Sequence, residues 1–118
     1  MNQENKKILH SAIVHYGQVS QVDQSVEEMA ELIQALNKFK RKHKRKEDTV
    51  PVQINIAEEI ADVEIMLEQL KMIFKCSGQV DIWRRKKLRR LADSIAKDKL
   101  NERKNTRKRS RPVSEKSE

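Results

Sequence analysis

Apolar residues recur along most of the chain at spacings of three and four, which is the period of an α-helix and not the alternation of a β-strand. The pattern predicts four helices, separated where Gly, Pro and clustered charges interrupt it. We expect these helices over about residues 4–15, 20–43, 54–75 and from 80 past 95 to about 103. The third is the most apolar stretch of the chain.

Local signals suggest where the second and third helices begin and end. Asp23 or Ser25 is of a type that caps a helix N-terminus, so either is expected near the start of the second helix. A loop is expected over about 44–53, because Pro51 favours an extended conformation in the residue before it. Ser77-Gly78 is expected to end the third helix.

Composition supports an all-α fold. The 118 residues include two Gly, two Pro and 3% aromatic residues, too few turn and β-forming residues for a β-sandwich or barrel. At 36% hydrophobic and 37% charged, one copy can bury only a thin core. We therefore predict an antiparallel bundle of about four helices over residues 1–103, completed by assembly into a homodimer or homotetramer. The basic segment 104–118 has little to bury and is expected to be disordered.

Two acidic residues fall on or beside the apolar face of the third helix. That face consists of Val63, Met66, Leu70 and Ile73. At about 100° per residue, Glu59 lies inside this stripe and Asp62 at its edge. Burying a carboxylate is unfavourable unless it is paired with a basic group or bound to a metal. We therefore expect Glu59 and Asp62 to have a partner of one of these two kinds.

The second helix carries a similar but less clear arrangement. Its main apolar stripe is Val22, Val26, Met29, Ile33 and Leu36. On the flank of that stripe, Glu28 lies near Leu32, Ala35 and Phe39, and Glu31 is adjacent to Glu28. The expected core face is the main stripe, with the acidic residues beside it.

Four carboxylates on two packed helices would repel one another strongly without a cation. The candidate ligands are Glu28, Glu31, Glu59 and Asp62. Carboxylate oxygens are hard ligands, and no Cys or His lies at ligand spacing beside them, so Mg²⁺, or Mn²⁺ in its place, is favoured over Zn²⁺. Two alternatives remain open: glutamates on a solvated helix face, or acids paired with Lys or Arg of the fourth helix.

The paired motifs EEMAE (27–31) and EIAD (59–62) resemble the signature of the all-α nucleoside triphosphate pyrophosphohydrolases. That superfamily includes MazG, the dimeric dUTPases and the phosphoribosyl-ATP pyrophosphohydrolases. The sequence around the two motifs also resembles small MazG-like proteins. The resemblance covers about residues 16–95. The later KLRRL (87–91) is similar to a recurrent Lys-x-x-Arg-Leu element of the family.

The resemblance implies a Mg²⁺-dependent enzyme that hydrolyses a nucleoside triphosphate to the monophosphate and pyrophosphate. The four acidic ligands would hold Mg²⁺ against the triphosphate and form the catalytic centre, with Glu27 or Glu58 assisting. Gln21 becomes a candidate contact for the base or sugar. Lys87 and Arg90 lie about one turn apart on the fourth helix and are candidates to bind a phosphate, although a solvated basic face is an equal alternative.

The formal net charge of +8 is spread unevenly, with basic clusters at 38–46, at 84–90 and from Lys97 onward. A basic surface suits a nucleotide, but it also suits nucleic acid. The alternative is therefore a helical nucleic-acid-binding or interaction protein that uses the fourth helix and the basic segment 104–118. The absence of a long apolar run argues against a membrane segment, and the lone Cys76 favours a reducing, cytoplasmic location.

Overall fold

The computed structural model describes residues 1–109, which form four α-helices and no β-strand. The helices are α1 (Gln3–Tyr16), α2 (Gln18–Lys44), α3 (Val50–Ile73) and α4 (Ser77–Arg109). The predicted all-α class is confirmed. None of these helices combines the length and the apolar content that crossing a bilayer requires.

The described chain divides into two compact units. The first, Met1–Ser77, contains α1, α2 and α3, with α2 and α3 in extensive contact and α1 packed against both. The second begins at Gly78 and contains α4. The buried apolar residues of the first unit are Leu9, Ile13, Ala35, Val52 and Met66. The core is as thin as the composition predicted.

A single glycine separates α1 from α2. Gly17 has a φ of 94° and donates its backbone N–H to the Ile13 carbonyl at 2.9 Å, which closes α1. The next helix begins at once with Gln18. The prediction that Asp23 or Ser25 caps α2 was wrong, because the reversal at Gly17 lets the helix start before either residue is reached.

The start of α3 also differs from the prediction. Pro51 lies in the first turn of α3, so the residue before it is helical rather than extended. A proline is tolerated there because the first N–H groups of a helix have no partner within it. The Asp48 carboxylate instead accepts a hydrogen bond from the Val50 N–H at 3.0 Å, which stabilises this end.

The turn between α3 and α4 is made by Lys75, not by Ser77-Gly78. Lys75 has a φ of 49°, and the next residue, Cys76, donates its N–H to the Lys71 carbonyl at 3.1 Å. Ser77 is already the first residue of α4. The expected helix end at Ser77-Gly78 was wrong because a lysine adopts the left-handed conformation that glycine usually supplies.

The face of α2 that packs inward is the flank, not the stripe expected to form the core. The side chains on the inward face are buried or half-buried: Ser25, Glu28, Leu32, Ala35 and Phe39. On the expected stripe, Val22 and Met29 are half-buried, but Val26 is 63% exposed, Ile33 58% and Leu36 43%. The small side chains of Ser25 and Ala35 allow a second helix to approach closely, which explains why packing selects the flank.

The last helix is longer than the pattern predicted. It reaches Arg109, so residues 104–109 of the segment expected to be disordered are helical. Lys and Arg have high helix propensity, and those in the last turn interact favourably with the helix dipole. The remainder of that prediction, 110–118, lies outside the described residues.

Candidate metal centre

Three of the four predicted ligands converge in the middle of the α2–α3 pair. One carboxylate oxygen each of Glu28, Glu59 and Asp62 lies within 4.8 Å of the other two. Glu28 comes from the buried flank of α2. Glu59 and Asp62 are three residues apart on α3, so both point to the same side of that helix. Two ligands of one Mg²⁺ lie at most about 4.2 Å apart, so small side-chain movements would bring these oxygens onto one ion.

Two oxygens of this cluster are buried without a hydrogen-bond partner among the described residues. They are Oε2 of Glu28 and Oε2 of Glu59. The other oxygen of Glu28 accepts a hydrogen bond from the Gln24 side-chain amide at 2.8 Å. Buried acceptors are almost always satisfied, so each of these two carboxylate oxygens is able to accept a cation or a hydrogen-bond donor.

The pKa values of two of these carboxyl groups are raised. The hydrogen bond from Gln24 lowers the pKa of Glu28, but burial and the charges of Asp62 and Glu31 outweigh it and raise this pKa above its usual value. Burial, followed by the charges of Glu31, Asp62 and Glu28, raises the pKa of Glu59. Both shifts have the direction expected where like charges meet without a counter-ion.

The fourth predicted ligand, Glu31, lies at the margin. Its side chain is exposed, and it does not belong to the group of oxygens within 4.8 Å of one another. Its charge nevertheless acts on Glu28 and Glu59, and it borders the same space as Glu59. Glu27 and Glu58 are exposed, and Glu58 adds a weaker charge effect on Glu59.

An open cavity of about 670 Å³ adjoins the cluster, within the size range of small-molecule sites. Its lining residues are Glu31, Gln34, Ala35, Asn37, Lys38, Arg41, Asn55 and Glu59. The cavity therefore joins two acidic side chains to two basic ones, Lys38 and Arg41. This combination suits a ligand that is both metal-bound and anionic.

Sequence reasoning had grouped Lys38 and Arg41 only with a general basic cluster. A signal for their role was available, because they follow Glu31 by seven and ten residues and therefore share its side of α2. Asn55, which precedes Glu59 by four residues on α3, is a further lining residue that the motifs did not identify.

The donor set fits a hard divalent cation. Glu28, Glu59 and Asp62 offer only carboxylate oxygens, with Glu31 nearby to add a fourth. Mg²⁺ and Mn²⁺ prefer such ligands and keep open positions for water and phosphate. The two orphaned buried oxygens are the observation on which this fit rests.

The three predicted substrate contacts remain predictions. Lys87 and Arg90 are exposed on α4, in the second unit of the chain. Gln21 is on α2 but 7% exposed, and its backbone carbonyl accepts a hydrogen bond from Ser25 Oγ at 2.8 Å. Gln21 is not among the residues that line the cavity.

One buried polar residue was missed by the sequence reasoning. Gln69 is 2% exposed, and its side-chain oxygen has no hydrogen-bond partner among the described residues. It lies seven residues after Asp62, so it occupies nearly the same side of α3 two turns further along.

Comparison of the chain with protein-family models, with curated proteins and with solved structures found no match.

Proposed function

We propose that the protein is a Mg²⁺-dependent nucleoside triphosphate pyrophosphohydrolase of the MazG-like kind, which releases pyrophosphate and a nucleoside monophosphate. The observation that carries the proposal is the convergence of Glu28, Glu59 and Asp62, with two of their oxygens buried and without a hydrogen-bond partner within residues 1–109. The resemblance of the two acidic motifs to that superfamily supports the same conclusion from the sequence.

The residues around the cavity suit a triphosphate. The acidic cluster would hold Mg²⁺, or Mn²⁺ in its place, and the bound ion would polarise phosphoryl oxygens and offset their charge. Lys38 and Arg41 line the cavity and can donate hydrogen bonds to phosphate oxygens. Both belong to the first unit, as the acidic cluster does.

Hydrolysis needs water and a proton acceptor rather than a nucleophilic side chain. The water oxygen attacks the α-phosphorus, the bond from that phosphorus to the α–β bridging oxygen breaks, and pyrophosphate leaves. Glu31 borders the cavity, is exposed and is not part of the tight cluster, so it is the carboxylate best able to orient the water and accept its proton.

We also propose that the enzyme works as a homodimer or homotetramer. Val26, Ile33 and Leu36 form an exposed apolar stripe on α2, beside the buried face that carries Glu28. Contiguous exposed apolar residues of this kind commonly mark an interface between copies. The lone Cys76 fits a reducing compartment, and we propose a cytoplasmic location.

A nucleic-acid-binding protein without hydrolytic activity is the second candidate. The charge of α4 favours it, since that helix carries thirteen Lys or Arg and four Asp or Glu. It provides no reason for two carboxylate oxygens to be buried together on α2 and α3. A metal-dependent enzyme therefore accounts for the two buried carboxylate oxygens, whereas a protein that only binds nucleic acid does not.

The test is release of pyrophosphate from a panel of canonical and modified nucleoside triphosphates, with Mg²⁺ or Mn²⁺. Glu59→Gln and Asp62→Asn should each lower kcat/KM by about 100-fold or more, equivalent to about 2.7 kcal/mol, because each removes a ligand charge without changing size. Arg41→Gln should raise KM more than it lowers kcat, because it removes a phosphate contact.

Glu64→Gln is the matched control. It makes the same chemical change on α3, at an exposed position on the opposite side of the helix from Glu59. Its kcat/KM should stay within about twofold of wild type, as is usual for a surface substitution. Absence of pyrophosphate release from every nucleotide, or equal losses in the control and in the two site variants, would contradict the proposal.

A further inference from the structure

The net positive charge of the protein lies on one helix. Residues 1–76 carry eleven Lys or Arg and twelve Asp or Glu, whereas α4 alone carries thirteen and four. Every residue from Asp81 to Arg109 is exposed. The acidic metal centre and the basic charge thus belong to different parts of the chain.

The basic residues of α4 are segregated to one side. At about 100° per residue, nine of the thirteen fall within an arc of about 140°, which we call the basic face. It consists of Arg85, Lys86, Arg89, Arg90, Lys97, Arg103, Lys104, Arg107 and Lys108. Val80, Leu88, Leu91 and Ile95 fall on the opposite side, about 170° away. A surface depression lined by Val80, Leu88 and Leu91 agrees with this grouping.

The acidic residues in the described part of α4 mostly lie off the basic face. Asp81 forms an ion pair with Arg84 at 3.1 Å, and both lie outside the arc. Asp98 and Glu102 fall on the apolar side, and Asp93 falls within the basic face. A line of positive charge therefore runs along the helix with one acidic interruption.

We propose that the basic face binds the backbone phosphates of double-stranded nucleic acid, independently of sequence and of the hydrolytic site. From Arg85 to Lys108 the face extends about 35 Å at 1.5 Å per residue, close to one turn of duplex. A duplex presents one negative charge per about 1.7 Å of its axis, so a basic line of this length can contact several phosphates at once.

The distribution of apolar residues favours nucleic acid over an anionic membrane surface. A helix that lies on a bilayer needs an apolar face along its length, opposite its basic one. On α4 the apolar face ends at Ile95, while the basic face continues to Lys108. Beyond Ile95 the large apolar residue is Leu100, and it falls on the basic side.

A duplex is also favoured over a single strand. Proteins that bind single strands without sequence preference usually stack bases on aromatic side chains beside the basic groove. The one aromatic residue of α4 is Trp83, which lies at the edge of the basic face near its first residues and has Lys86 Nζ 5.4 Å from its ring centre. Further along the helix, up to Arg109, no aromatic side chain is present on which successive bases could stack. The basic face itself offers charge and hydrogen-bond donors, which suit phosphates.

The experiment measures binding of the full chain to fluorescent 24-base-pair DNA and RNA duplexes over a range of salt concentrations. Wild type should bind one or both duplexes, with a slope of log K against log salt of about −8 when all nine residues of the face contact phosphates. A variant with Arg89, Lys97, Arg103 and Lys104 each changed to Gln leaves five of the nine and should change the slope to about −4.5. Gln preserves helix propensity, and circular dichroism checks that the helix content is retained.

The control removes the same charge elsewhere, by changing Lys6, Lys7, Lys40 and Lys44 to Gln. It should bind within about threefold of wild type with nearly the same slope. Two duplexes of unrelated sequence should bind equally well, because phosphate contacts carry no sequence information.

Three outcomes would overturn the proposal. The first is no duplex binding at low salt. The second is an equal loss of affinity in the control and in the α4 variant, which would make net charge and not the face responsible. The third is binding only to single strands, or only to vesicles of phosphatidylcholine with 30% phosphatidylserine. Hydrolytic activity is measured separately, so its absence leaves this test unaffected.

Discussion

Replacing Glu28 by Gln should stabilise the protein when no divalent cation is present. The substitution preserves the size of the side chain and the oxygen that accepts the hydrogen bond from Gln24 at 2.8 Å. It removes one of three negative charges whose oxygens lie within 4.8 Å of one another. The folded state loses repulsion, whereas the unfolded state is little affected.

The size of the effect follows from that distance. Two unit charges 4.8 Å apart repel by about 0.9 kcal/mol in a water-like dielectric, and Glu28 has two such neighbours. Screening by salt and solvent reduces the sum, so we expect a gain of about 1 kcal/mol at pH 8. For a unit of this size, the midpoint of thermal unfolding should rise by about 4–8 °C.

The gain should depend on pH with a definite sign. Because the pKa of Glu28 is raised in the folded state, ionisation destabilises the wild-type fold as pH rises through that raised value. As pH falls toward the unfolded-state value of about 4.5, the folded carboxyl takes up its proton first and the penalty disappears. The difference between Glu28→Gln and wild type should therefore be largest above neutral pH and shrink toward pH 4.5.

Adding Mg²⁺ should reverse the order of stability. A cation at 100 times its dissociation constant stabilises the state that binds it by about 2.7 kcal/mol, and the variant has lost one ligand charge. Calorimetry in chelator and in Mg²⁺ measures both effects, with the exposed Glu64→Gln as control. The reasoning is refuted if Glu28→Gln is less stable than wild type in chelator, or if Mg²⁺ stabilises wild type, variant and control equally.

Three further predictions concern assembly and packing. Ile33→Asp should raise the dissociation constant of the homo-oligomer by at least about 100-fold in ultracentrifugation. The reason is that roughly 100 Å² of apolar side-chain surface would no longer be buried at the interface, at about 25 cal/mol per Å². Val14→Asp, at an exposed apolar site on α1, is the control and should leave assembly unchanged. Met66→Ala should cost about 3 kcal/mol in denaturant unfolding, because it leaves a cavity in a thin core; a loss under 1 kcal/mol would show that the core is not packed around it. Gly17→Ala should cost about 1–3 kcal/mol through its φ of 94° alone, since an added Cβ meets nothing within 4 Å; an unchanged unfolding midpoint would contradict this.

The sequence by itself determined the helical class and the relation of the acidic residues on each helix. Periodicity of three and four fixes which residues share a side of an isolated helix, so Glu59 could be assigned to the apolar side of α3 beside Asp62 from spacing alone. Composition likewise excluded β-rich folds. These properties depend on local geometry, which the order of residues specifies directly.

Only the tertiary structure decided which side of α2 faces α3. Periodicity offered two adjacent candidate faces. The more apolar face is exposed at Val26 and Ile33, whereas the face with Glu28 is buried or half-buried. That choice brings Glu28 to Glu59 and leaves Glu31 at the margin. It also determines that Arg41 borders the cavity. Which of these residues meet depends on how the surfaces of α2 and α3 pack against each other. That packing is decided by the sizes of side chains on both helices, and the hydrophobic period of one helix does not specify it.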